Sequence, residues 1–138
     1  MAPQLVTADT SVVVPALVSW HEQHETARHA VIGVTRLPAH VLLETISVLT
    51  RLPHGLSVPT ALAVGLLKEA FPAPPLLLDA PGHADLLDVL AGNHVRGKTI
   101  FDAVIAATAR AAEAVLRTRD RRAAEVYRAV GVAVEYLD

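Results

Sequence analysis

Residues 114–120 read AVLRTRD. An apolar run with β-branched members closes on a hydroxyl, an arginine and an acid. That pattern predicts a short buried strand ending just before Asp120. Residues 5–9, LVTAD, repeat the arrangement and close on Asp9. If the two strands run parallel, both acids stand at the carboxyl edge of one sheet. That edge is where open α/β sheets take their ligands.

Outward from these two strands, apolar runs and helical spacing alternate. GVTRL (33–37), the end of PAPPLLLD (72–79) and VAVEYL (132–137) read as further strands. Helices are expected after a Thr10 or Ser11 cap, over 21–32, over 38–52, and from a Ser57 or Thr60 cap to Phe71. Three more are expected: PGHADLLDVLAGNH finished by Gly92, residues 99–114, and a last one ending at Gly131. Pro15 interrupts the first of these, where a missing N–H weakens a helix. Strands alternating with helices imply a three-layer α/β/α sandwich with a central parallel sheet. The 138 residues suit one domain, 1–138.

Composition narrows the class. Hydrophobic residues make up 52% and charged residues 19%, which is globular rather than disordered. The mean hydropathy of +0.40 is high for a small soluble monomer and predicts apolar surface covered by a partner. The absence of cysteine excludes disulfides and thiolate chemistry. No apolar run reaches the length of about 18 residues that spans a bilayer, and the start has no signal-peptide pattern, so a cytoplasmic protein is expected. The net charge of −2 does not advertise nucleic-acid binding. Its distribution is more informative. Residues 96–128 hold eight basic and four acidic side chains, a balance of +4, and the remainder holds four and ten. Such a region can meet phosphates, or it can be a solvated helix face.

Two motifs mislead. GNHVRGKT (92–99) matches the phosphate-cradling pattern G-x-x-x-x-G-K-[ST] letter for letter. A working loop of that kind follows a buried strand, whereas ADLLDVLA before it has helical spacing. Gly92 is expected to end a helix, Gly97 to relieve a loop and Thr99 to cap the next helix. HEQHETARH (21–29) lacks the i, i+4 histidine pair of a zinc-binding helix, so exposed histidines on a polar helix are expected.

The acids carry the chemistry. Asp9 and Asp120 follow strands, and Asp102 stands in the first turn of a helix, where the dipole favours a carboxylate. Glu44 is the one acid between Val31 and Lys68. Four carboxylates converging on one edge would repel one another unless a cation neutralised them. All-oxygen donors select hard ions such as Mg²⁺ or Mn²⁺. Such a site supports metal-assisted phosphodiester hydrolysis. Helix capping explains each acid singly, and spacing alone does not choose between the two readings.

Four blocks taken in order do more: VTADTSVVV, PAHVLLETISVLTRLP, GKTIFDAVIAATA and VLRTRDRRAAEVYRAVGVAVEYL. Together they resemble the PIN-domain family, most nearly the VapC-type ribonuclease toxins, over almost the whole chain. The resemblance implies Asp9, Glu44 and Asp102 as core metal-binding and catalytic acids, with Asp120 as a fourth. It implies Ser11 and Thr118 as supporting hydroxyls and Mg²⁺ or Mn²⁺ as cofactor. It also implies cleavage of single-stranded or structured RNA such as tRNA or rRNA, arrest of translation, a small antitoxin partner and a homodimer. Arg51, Arg96, Lys98 and Arg119 are expected to hold the RNA backbone. Pro15 departs from the family pattern just after Asp9. The alternative is a module of the same fold that binds RNA or a partner without cutting.

Overall fold

The computed structural model describes residues 3–137. Three strands form one parallel sheet in the order β1 (Val6–Ala8), β2 (Val115–Thr118), β3 (Val134–Tyr136). Val6 pairs with Val115 and Ala8 with Arg117, while Leu116 pairs with Val134 and Thr118 with Tyr136. The chain therefore brings β2 directly beside β1, and Asp9 and Asp120 leave the same edge.

Between β1 and β2 run the helices α1 (Thr10–Leu17), α2 (His24–Ala30), α3 (Ala39–Thr50), α4 (Thr60–Ala70), α5 (Ala80–Gly92) and α6 (Thr99–Ala111). A 3₁₀ turn (Arg121–Ala123) and α7 (Ala124–Val130) join β2 to β3. The result is the expected three-layer α/β/α arrangement, with α1 and α6 packed directly on the sheet. Among the described residues no helix is long and apolar enough to cross a membrane.

Small residues set how closely the layers approach. On α6, Ala103, Ala106 and Ala109 recur every third position, and all are fully buried with Ile105 beside them. Alanine is the best helix former and leaves the least bulk between backbones. The central strand contributes Leu116, and α1 contributes Val12 and Val13, all without exposed surface. Burying each such side chain favours folding by roughly 1.5–3 kcal/mol. Gly131 ends α7 with φ 86°, a left-handed cap that returns its N–H to the Tyr127 carbonyl at 3.0 Å.

Several expectations need correction. GVTRL and the end of PAPPLLLD do not form strands. They meet in a single parallel bridge, Pro38 to Leu76. Beyond it the Ala73 N–H reaches the Thr35 carbonyl at 3.1 Å, but Pro38, Pro72, Pro74 and Pro75 have no N–H to give, so no regular ladder forms. The first helix is capped by Asp9, whose carboxylate accepts from Ser11 N–H, rather than by Thr10 or Ser11. The second starts at His24 rather than at 21, and the His24 ring binds the Pro15 carbonyl at 2.8 Å instead of standing free. The helix expected over 99–114 ends at Ala111. Lys98, not Thr99, is its N-cap, and the Thr99 hydroxyl turns back to the Arg96 carbonyl at 2.7 Å. The helical α5 precedes GNHVRGKT, which removes the strand a phosphate-cradling loop needs.

Candidate functional site

Asp9 is the floor of the site. It is only 3% exposed, and every oxygen it has is occupied. Oδ1 accepts from the Ser11 N–H at 3.1 Å and the Ser11 hydroxyl at 2.5 Å. Oδ2 accepts from the Tyr127 hydroxyl at 2.6 Å. Burial raises the Asp9 pKa above the ordinary 3.8, the Ser11, Thr118 and Tyr127 hydroxyls pull it back, and Asp120 pushes it up again. Tyr127 is raised too, first by burial and then by Asp9, so it stays a donor.

Tyr127 was not singled out in the sequence. Its one signal is its place on the apolar face of α7 between Val126 and Val130. A buried tyrosine there needs a partner for its hydroxyl. The partner lies 118 residues away, and no local pattern points to it.

Asp102 sits half-buried in the first turn of α6. Its pKa is raised to about 7, first by desolvation and then by the negative charges of Asp120, Glu44 and Asp9, with Arg122 opposing. This one side chain therefore feels all three other acids. Asp9, Glu44 and Asp120, from three other segments, thus lie within electrostatic reach of Asp102.

One ring contact joins α3 to α6 at this point. The His40 ring stacks on Phe101 at 5.2 Å between centroids with an 8° interplanar angle. His40 Nε2 also lies 3.7 Å from the Glu44 carboxylate one turn along α3. Phe101 directly precedes Asp102, so the stack ties the first turn of α6 to the α3 turn that carries Glu44.

Asp120 caps the turn after β2, accepting from Arg122 N–H at 3.0 Å and pairing with the Arg122 guanidinium at 3.3 Å. Its own N–H goes to the Thr118 hydroxyl at 3.0 Å, which lies 3.3 Å from Ser11 Oγ. A cleft of about 380 Å³ opens here, lined by Ser11, Arg119, Asp120, Arg121 and Arg122. A second, of about 520 Å³, runs between the 93–99 loop and α7, with Arg96, Thr99, Arg122 and Arg128 among its walls. Arg122 lines both.

The other basic residues are placed unequally. Arg96 and Lys98 are exposed on the loop before α6. Arg51 is exposed at the end of α3, where Nε reaches Ser47 Oγ at 3.4 Å. Arg117 is committed to the fold, donating to the Ala30 carbonyl at 2.7 Å and to Glu135 at 3.3 Å. Arg119 is half-buried and donates to the Ser11 carbonyl at 2.9 Å.

The donor set is carboxylate oxygen, the chemistry hard divalent cations prefer. Among the described residues no group of three acids or histidines forms a ready ligand set. Mg²⁺ is usually held by one or two carboxylates plus waters, so the open acid cluster fits such an ion better than a closed cage would.

Comparison with known proteins places the chain in a family. A family model described as "PIN domain" matches residues 6–129. "Ribonuclease VapC40" of Mycobacterium tuberculosis is 40% identical over 133 residues, covering 96% of this chain and 99% of that protein. "Ribonuclease VapC27" of the same organism is 42% identical over 139 residues, covering 97% of each. Among solved structures, FitAcB from Neisseria gonorrhoeae superposes with a TM-score of 0.68 at 22% identity, covering 94% of this chain and 96% of that one. VapBC2 from Rickettsia felis, solved with a DNA fragment from its promoter, gives 0.68 at 14% identity over 98% and 100%. At those identities the two structures speak for the fold.

Proposed function

Because the chain belongs to the PIN-domain family, we propose that it is a metal-dependent endoribonuclease of the VapC toxin type. The observation that carries the proposal is the convergence on Asp102. Its carboxyl is raised to about 7 first by desolvation and then by Asp120, Glu44 and Asp9, two of which, Asp9 and Asp120, leave the carboxyl edge of the parallel sheet. The nearly full-length likeness to two proteins named ribonucleases supports the same reading.

Asp9, Glu44, Asp102 and Asp120 would hold one or two Mg²⁺ or Mn²⁺ ions. When bound, the ion supplies charge neutralisation at the phosphate and activation of water. The chain itself does the rest. Ser11, Thr118 and Tyr127 keep the Asp9 carboxylate fixed and oriented. Arg96 and Lys98 on the loop, with Arg51 and the arginines of the larger cleft, hold the RNA backbone on either side of the acids. Cleavage adds water across one P–O bond, and no histidine base is assigned.

A small antitoxin, a homodimer and a cytoplasmic setting belong to the same reading. Apolar side chains left exposed, including Leu43 at 68% and Leu77 at 72%, support partner coverage. The deciding experiment is induced expression in a bacterium, wild type against Asp9→Asn, with new RNA 5′ ends sequenced. Growth arrest with discrete ends, lost in the variant, is expected. Arrest that persists in folded Asp9→Asn would return the protein to a binding module.

A further inference from the structure

Pro15 lies inside α1 and has no N–H. The carbonyl it leaves without its usual helical donor is that of Ser11, four residues earlier. That carbonyl accepts from Arg119 Nη1 at 2.9 Å. The Arg119 backbone N–H meanwhile donates to Ser11 Oγ at 2.9 Å. Residue 119 therefore grips residue 11 twice, once through its backbone and once through its side chain.

The grip continues in both directions. Ser11 Oγ donates to Asp9 Oδ1 at 2.5 Å, and Thr118 Oγ1 stands 3.3 Å from Ser11 Oγ. Thr118 Oγ1 then receives the Asp120 N–H at 3.0 Å. One continuous chain of hydrogen bonds links the acid after β1 to the acid after β2.

We propose that Arg119 is a positioning residue that fixes the end of β2 to the start of α1, and that Pro15 frees the carbonyl it uses. The inference rests on the metal-dependent reading above. It gives Arg119 a different task from the phosphate contact its charge suggests. The guanidinium satisfies a helix carbonyl and fixes Asp9 relative to Asp120. Lysine is no substitute, because the planar fork that presents Nη1 to that carbonyl is lost.

The test uses the full chain with three substitutions, Arg119→Met, Arg119→Lys and Pro15→Ala, each checked for folding by circular dichroism. Mn²⁺ binding is titrated without RNA. Binding of a short single-stranded RNA is measured in EDTA over a range of salt. Both Arg119 variants are expected to weaken Mn²⁺ binding by about tenfold or more, the effect of losing an outer-shell partner. Their RNA salt slope should match wild type. Pro15→Ala should weaken Mn²⁺ binding less, since its new N–H competes for a carbonyl with two lone pairs. The double variant Pro15→Ala with Arg119→Met should be no worse than Arg119→Met alone.

A fall of about 0.7 in the RNA salt slope with unchanged Mn²⁺ binding makes Arg119 a phosphate contact and overturns the proposal. Unchanged values for both also overturn it, as does a wild-type chain that binds no Mn²⁺. A wild-type chain that binds Mn²⁺ yet cuts no RNA sinks the nuclease reading alone, and the Mn²⁺ comparison still decides the role of Arg119. Should Arg119→Met fail to fold, Arg119→Lys and Pro15→Ala carry the test.

Discussion

The floor of the site and its rim are built on opposite plans. At the floor, Asp9 is buried with both oxygens occupied, and Ser11, Thr118, Arg119 and Tyr127 bind it or one another. At the rim, Arg96, Arg122 and Arg128 stand exposed around an open cleft, and Lys98 is exposed on the same loop as Arg96. An ion would need ligands held to fractions of an ångström, which a preorganised floor of this kind suits. A flexible polyanion needs charge within reach, and exposed arginines on a loop and a short helix give that without a fixed pose.

The largest break in this comparison comes from the acids. Asp102→Asn should lower RNA cleavage by about a hundredfold or more while the protein stays folded, read with a labelled RNA. Its metal-free melting temperature at pH 8 should equal or exceed wild type, because a desolvated, repelled charge is gone. A melting temperature well below wild type would mean that Asp102 serves the fold.

Tyr127→Phe comes next. It removes the donor to Asp9 Oδ2 and leaves a buried carboxylate oxygen unpaired, a cost of about 1–3 kcal/mol. Urea unfolding should show the midpoint falling with an unchanged slope. No fall would mean that water replaces the hydroxyl, and the floor would be less rigid than its hydrogen bonds imply.

The pH dependence of stability follows from Asp102. Its carboxyl titrates at about 7 in the folded chain against 3.8 unfolded. Between those values the folded state binds more protons than the unfolded state, so stability falls as pH rises. The metal-free protein should therefore lose melting temperature from pH 3.8 to about 7 through this group, and the raised Asp9 acts in the same direction. Saturating Mg²⁺ should flatten the loss near neutral pH. An identical profile with and without Mg²⁺ would detach the acids from the ion.

The smallest effects belong to the rim. Arg96→Ala and Arg128→Ala should each lower the salt slope of single-stranded RNA binding by about 0.7. Stability should stay within about 0.5 kcal/mol of wild type. Arg117→Ala, which loses the Ala30 carbonyl and Glu135, should do the reverse. If all three behaved alike, charge rather than placement would govern RNA binding.

What could be read in advance was local. An apolar run closed by an acid is visible within five residues, so LVTAD and AVLRTRD placed Asp9 and Asp120 on one edge before any coordinates. Alternation also gave the layered α/β plan. It failed at GVTRL and PAPPLLLD, where prolines withhold the donors that apolar side chains seem to promise. It failed again at Thr99, whose hydroxyl found a nearer carbonyl than the helix start. Tyr127 and the tie of Arg119 to Ser11 were out of reach, because each depends on a partner more than 100 residues away. Pro15 was seen as an irregularity, but the carbonyl it releases has meaning only once β2 lies beside β1.

That adjacency has a consequence in time. β1 pairs directly with β2, yet the chain completes six helices between them. Asp9 is made early, while its donor Tyr127 comes 118 residues later. At ribosomal speeds of about 5–20 residues per second, the gap is about 6–24 s. Between residue 44 and residue 102 the emerging chain holds Asp9 and Glu44 but lacks Asp102, Asp120 and the strand that would gather them. A potential nuclease thus lacks two of its four acids through that stretch of its own synthesis.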